Sequence, residues 1–112
     1  MTNWTTYTKD LNIPKDWKCT SYGNDALPSY QTQEDNYKAY HIWIDSHDLE
    51  ERKMNCKDIY GTEEIKPRFS VSLCYGYLDG DLFQSDNFED VIKWIDDNPK
   101  TEEQIKLTKE YI

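Results

Sequence analysis

The chain has 112 residues and a formal net charge of −9, from 22 acidic and 13 basic side chains. That length makes one domain, 1–112, whose core needs neither disulfides nor a structural metal. The 14% aromatic content argues against intrinsic disorder. No run approaches the ~20 apolar residues of a transmembrane helix, and residues 1–10 lack the apolar stretch of a signal peptide. The acidic balance opposes direct binding to nucleic acid or to an anionic membrane. The expectation is a cytoplasmic protein that keeps Cys19, Cys56 and Cys74 as free thiols.

Residues 1–36 read as an irregular segment anchored by Trp4, Tyr7, Leu11, Ile13 and Trp17. Pro14 favours a short helical turn over residues 15–18. Gly23, Asn24, Asp25 and Pro28 mark an ordered loop, with Tyr22 and Tyr30 beside it. Residues 37–45 read as a strand, because Tyr40, Ile42 and Ile44 alternate with Ala39, His41 and Trp43. Residues 46–62 form a polar connection, parts of it helical.

The clearest strand is 68–78. Phe69, Val71, Leu73, Tyr75 and Tyr77 make its core face, and Ser70, Ser72, Cys74 and Gly76 the other. Asp79-Gly80 supplies a type I′ turn, and 81–85 returns as a short strand. Asp86 with Glu89 reads as a capping box opening a helix. Phe88, Val91, Ile92 and Ile95 form its apolar stripe, and Asn98-Pro99 ends it. Thr101 with Gln104 repeats the capping pattern before a last helix docked by Ile105, Tyr111 and Ile112. The expected fold is α+β. Three to four antiparallel strands carry a C-terminal helix on one face, with 37–112 as a β-β-β-α-α body.

Trp17 with Ser21-Tyr22-Gly23-Asn24-Asp25, Pro28-Ser29 and the 42–45 strand resembles a pattern in small bacterial, plasmid-borne and phage-borne proteins. The likeness covers about a third of the chain. It implies a bacterial or mobile-element setting, and the host cytoplasm if the source is a phage.

Four constellations bear on chemistry. Residues 79–97 hold seven carboxylates, Asp79, Asp81, Asp86, Glu89, Asp90, Asp96 and Asp97, against one cation, Lys93. Glu89, Lys93 and Asp96 share the helix face opposite the stripe, with Asp90 and Asp97 flanking. Such an array imitates a run of phosphates before a basic protein. The plainer account is a solvated face whose first-turn acids favour the helix N-terminus. That account fits Asp96 and Asp97 poorly, since they stand at the negative end of the dipole. Next, Tyr22, Tyr30 and Trp17 either present an aromatic recognition patch or plug the open end of the sandwich.

The remaining two constellations are weaker. His41 and Asp45 stand about 13 Å apart along a strand, too far to share a metal. Asp79-Gly80-Asp81 opens like a calcium loop but has Gln84 where a glycine is required. Cys74 near His41 lacks anything to lower the thiol pKa. No metal, cofactor or catalytic residue is expected.

The leading expectation is a non-enzymatic acidic binding protein that occludes a basic, nucleic-acid-handling partner protein. A counter-defence protein, such as an anti-CRISPR or anti-restriction inhibitor, and a toxin immunity protein both fit. The partner-binding set is Asp79, Asp81, Asp86, Glu89, Asp90, Asp96, Asp97, Tyr22 and Tyr30. The alternatives are a small ligand-binding domain or enzyme with an aromatic pocket, and a homo-oligomer built through the 81–85 edge.

Overall fold

The structure, a computed structural model, describes residues 5–20, 27–73 and 81–111. Within them the chain runs α1 (Thr5–Thr8), β1 (Lys18–Cys19), β2 (Ser29–Gln31), β3 (His41–Ile44), α2 (Leu49–Tyr60), β4 (Phe69–Ser72), β5 (Phe83–Ser85), α3 (Phe88–Asp97) and α4 (Glu102–Tyr111). The strands form one open antiparallel sheet in the order β1-β2-β3-β4-β5. The fold is α+β with C-terminal helices, as the sequence implies, and has five strands where three to four are expected.

The two extra strands come from the segment read as irregular. β1 and β2 have two and three residues, too short to show alternation. Their place is set by pairing, with Tyr30 opposite Ile42 and Gln31 opposite His41. The turn expected over 15–18 is a tight one closed by Trp17 N–H donating to Pro14 O (3.1 Å), and β1 follows at once. The strand expected over 37–45 is confined to four residues. Before it, the Asp35 carboxylate accepts from the Tyr37 and Lys38 amides and holds a turn.

Register sorts the side chains, because directly opposed residues share a face. Tyr30, Ile42, Val71 and Phe83 form one row across the sheet, and Ile44, Phe69 and Ser85 the next. This face carries the core. Tyr40, Ile42, Ile44, Phe69, Val71 and Leu73 pack with Val91 of α3, flanked by Phe88, Trp94 and Ile95. Burying each such side chain contributes roughly 1.5–3 kcal/mol, so the stripe of α3 explains why that helix lies here. Trp17 tilts against Tyr30 and meets Phe88 edge-on, closing the sandwich on the N-terminal side. The opposite sheet face is polar: Gln31, His41 and Ser72 in one row, Ser29, Trp43, Ser70 and Gln84 in the other.

The helices follow their caps. α2 occupies what reads in sequence as a polar connection. Asp48 accepts from the Glu50 and Glu51 amides at its start, and Gly61, at φ 66°, ends it while donating to Lys57 O (3.0 Å). A positive φ is costly for residues with a Cβ, which is why glycine stands there. Only Cys56 of α2 is fully buried, so no apolar stripe announces the helix. α3 is capped by Asn87, whose side chain accepts from the Glu89 amide (3.0 Å). The expected cap, Asp86, is engaged elsewhere. At α4 the capping box forms as expected. Thr101 Oγ1 accepts from Gln104 N–H (3.1 Å), and Gln104 Oε1 accepts from Thr101 N–H (3.0 Å). Ile105 is half-buried; Ile112 and the Tyr111 side chain lie outside the described residues, as do Cys74, Tyr75, Tyr77 and the Asp79-Gly80 turn.

Candidate functional site

α3 separates its residues sharply. Phe88, Val91, Ile92, Trp94 and Ile95 face the sheet side, while Glu89, Asp90, Lys93, Asp96 and Asp97 are all exposed. Steric demand sets this division. Trp94 stacks on Phe83 (centroids 5.5 Å apart, planes at 13°) and meets Tyr40 edge-on (5.1 Å), and Phe88 tilts against Phe69 (5.2 Å). With its inner arc packed against the sheet, the helix turns its four carboxylates to solvent. Among the described residues, no ion pair engages Glu89, Asp90, Asp96 or Asp97. Asp90 Oδ2 has a hydrogen-bond contact with Ser85 Oγ (3.3 Å), which places it beside β5. Asp81, also exposed, accepts from the Gln84 amide (2.7 Å).

Two members of the expected partner-binding set are engaged within the fold. Asp86 has an internal role. Its Oδ1 accepts from Arg68 N–H (3.0 Å) and from the Arg52 guanidinium (2.8 Å), so it joins β4, α2 and the β5–α3 junction. Tyr30 is half-buried against Trp17, with its hydroxyl proton held on by burial; most of its ring serves to close the sandwich. Asp79 and Tyr22 lie outside the described residues.

A second polar assembly escapes sequence reasoning. Arg68 is 8% exposed. Its Nε donates to Asp45 O (2.9 Å), one terminal nitrogen to Tyr7 O (2.8 Å), and the two terminal nitrogens grip the Asp10 carboxylate in a fork (2.8 Å each). Asn55 of α2 donates to both the Tyr7 hydroxyl (3.0 Å) and Asp45 Oδ1 (2.8 Å). Asp45 is 3% exposed, and its Oδ1 also accepts from Ser46 N–H (2.7 Å). Burial pushes the Asp45 carboxyl up, while the Arg68 guanidinium holds that of Asp10 below its usual range. Burial, reinforced by Glu51, pushes the Tyr7 hydroxyl up to about 12. Every strong donor here meets a neighbour in the same chain, so the assembly fastens α1 and α2 to the sheet. The sequence offered one signal for it: Arg68 next to a strong apolar strand, where an arginine requires partners.

The residues considered for metal chemistry are used otherwise. His41 Nε2 lies 2.9 Å from Thr20 Oγ1, and Asp45 belongs to the Arg68 assembly. Among the described residues, no group of three or more His, Cys, Asp or Glu could hold a metal ion. No described helix is long and apolar enough to cross a membrane. A cleft of about 240 Å³ lies between Tyr40, Ile95 and Ile105, where the Lys100 ammonium already donates to Tyr37 O, Leu73 O and Thr108 Oγ1. No family model, curated protein or solved structure matches the chain.

Proposed function

We propose that this chain is a non-enzymatic binding protein whose acidic α3 face occupies the basic surface of a nucleic-acid-handling protein. The observation that carries the reading is the set of carboxylates on Glu89, Asp90, Asp96 and Asp97. They are exposed and without ion-pair partners among the described residues, on a helix locked down by its aromatic inner face. Fixed like charges repel one another and gain most when a cationic surface approaches. Lysines and arginines that grip phosphates supply such a surface. Inhibition would follow by occupation of that surface, with long-range attraction speeding the encounter. Two biological settings share this chemistry. One is a phage- or plasmid-borne inhibitor of a defence complex, of the anti-CRISPR or anti-restriction kind. The other is an immunity protein that neutralises a nuclease toxin.

The test is affinity capture from a lysate of the source organism or its host, with elution by rising salt. It is run beside the variant Glu89→Lys/Asp90→Lys/Asp97→Lys. The native protein should retain a basic nucleic-acid-handling protein and release it with salt, and the variant should fold and retain none. Equal capture by the variant overturns the proposal. Asp86 is left out of the variant because it holds Arg52 and the Arg68 backbone.

A further inference from the structure

β5 ends the sheet and, among the described residues, pairs on one side only, with β4. An open edge offers backbone N–H and C=O groups to an additional strand. The side chains of β5 are tied back to their own surroundings. Phe83 stacks on Trp94, the Gln84 amide donates to Asp81, and Ser85 Oγ accepts from Asn87 N–H and contacts Asp90. The Phe83–Trp94 stack fixes the strand against α3, so little ordering remains to be done on binding.

The unpaired charge along this edge has one sign. Asp81 precedes the strand and Asp90 stands beside it, neither in an ion pair among the described residues, with no lysine or arginine from Asp81 to Ile92; Asp86, at the strand's other end, is held by Arg52. The other sheet edge, β1, is mixed in sign, with Lys15, Asp16 and Lys18 around it and Lys18 paired with Glu34. Charges at a short edge protect a sheet against pairing with its own copies. Charges of a single sign do more: they repel a second copy of the same edge and attract a strand of opposite sign.

Building on the acidic-face reading above, we propose that β5 is the docking edge for an extended strand of the partner protein that carries Lys or Arg. The added strand pairs its backbone with residues 83–85. Its side chains alternate between the two sheet faces, so those of one parity reach Asp90 on the α3 side. Those of the other parity reach Asp81 on the polar side, where Gln84 lies. The docked strand adds to the helix face a backbone component that salt does not screen.

The test uses the full chain and three short synthetic peptides: one alternating Lys and Val, its Glu-for-Lys counterpart, and the Lys peptide N-methylated throughout. Amide hydrogen exchange at residues 83–85 and affinity are both read. The Lys peptide should slow exchange of the outward-facing amides in 83–85 about tenfold, N-methylation should weaken binding by about tenfold or more, and the Glu peptide should not bind. Failure of the Lys peptide to bind overturns the edge proposal. So does binding that leaves those amides unchanged or survives N-methylation. Those outcomes leave the α3 face standing, since that face is judged separately by the salt-sensitive capture and its charge-reversed variant.

Discussion

Arg68 and the outer face of α3 hold their charges in opposite ways. Arg68 is buried, and four donated hydrogen bonds satisfy it within the chain. The carboxylates of α3 are exposed and, among the described residues, form no ion pair. A buried charge must find its partners in the fold, because leaving it unpaired costs several kcal/mol. An exposed charge has water as a partner and is free to meet another molecule. The chain is therefore stitched together by one set of ions and presents the other. Asp86 marks the border: exposed like the α3 acids, but committed to Arg52 and the Arg68 backbone.

The buried set of ions responds most strongly to change at Arg68. Arg68→Met keeps most of the volume and removes every side-chain donor, leaving Tyr7 O, Asp45 O and the Asp10 carboxylate without it. The expected loss is about 3 kcal/mol, read as a fall in the urea midpoint. A loss no larger than that of an ordinary surface change, about 0.5 kcal/mol, would mean the assembly does not hold the N-terminal segment.

A smaller effect separates the two carboxylates beside Arg68 by sign. The folded-state pKa of Asp10 is lowered, so its contribution is present above its ordinary value of 3.8 and is lost as pH falls through the folded value. The folded-state pKa of Asp45 is raised. Its contribution is therefore present below 3.8 and is lost as pH rises through the folded value. Asp10→Asn should cost about 1 kcal/mol at pH 7, modest because that side chain is 39% exposed, and the cost should fade as pH drops below 3.8 and through the lowered folded value. Asp45→Asn should become steadily more favourable relative to the native chain between pH 3 and pH 7. Denaturant unfolding across that range checks both, and parallel profiles for the two variants would contradict the assignment.

The smallest effect sharpens the α3 side. Asp96 and Asp97 stand at the negative end of the helix dipole, while Glu89 and Asp90 stand at the positive end. Neutralising Asp96 or Asp97 to Asn should raise the stability of the free protein by about 0.3–1 kcal/mol at low salt, and less at high salt. Neutralising Glu89 to Gln should lower it slightly. A thermal-unfolding series at two salt concentrations reads the contrast. Loss of stability from Asp97→Asn would place that residue with Asp86 as part of the structure.

Local chemistry along the chain determined a good deal. The stripe from Phe88 to Ile95 settles which side of α3 is buried, and so which side carries the acids. Thr101 and Gln104 form their capping box because both partners lie within one turn. The Phe69, Val71 and Leu73 alternation places that row in the core. These features depend on neighbours a few residues away, which a sequence displays directly.

Tertiary structure alone decided the rest. Asp86 has the chemistry of a helix cap, yet Arg52 and the Arg68 backbone, 34 and 18 residues away, claim it, and Asn87 caps instead. Arg68 finds Asp10 and Tyr7 across 58 and 61 residues. β2 exists because pairing with β3 satisfies a backbone too short to declare itself, and β1 because it pairs with β2 in turn. α2 is held by its caps and by Asn55 and Arg52, without an apolar stripe. In each case the deciding contact joins groups distant in sequence, and pattern within a window carries no information about which distant group will arrive.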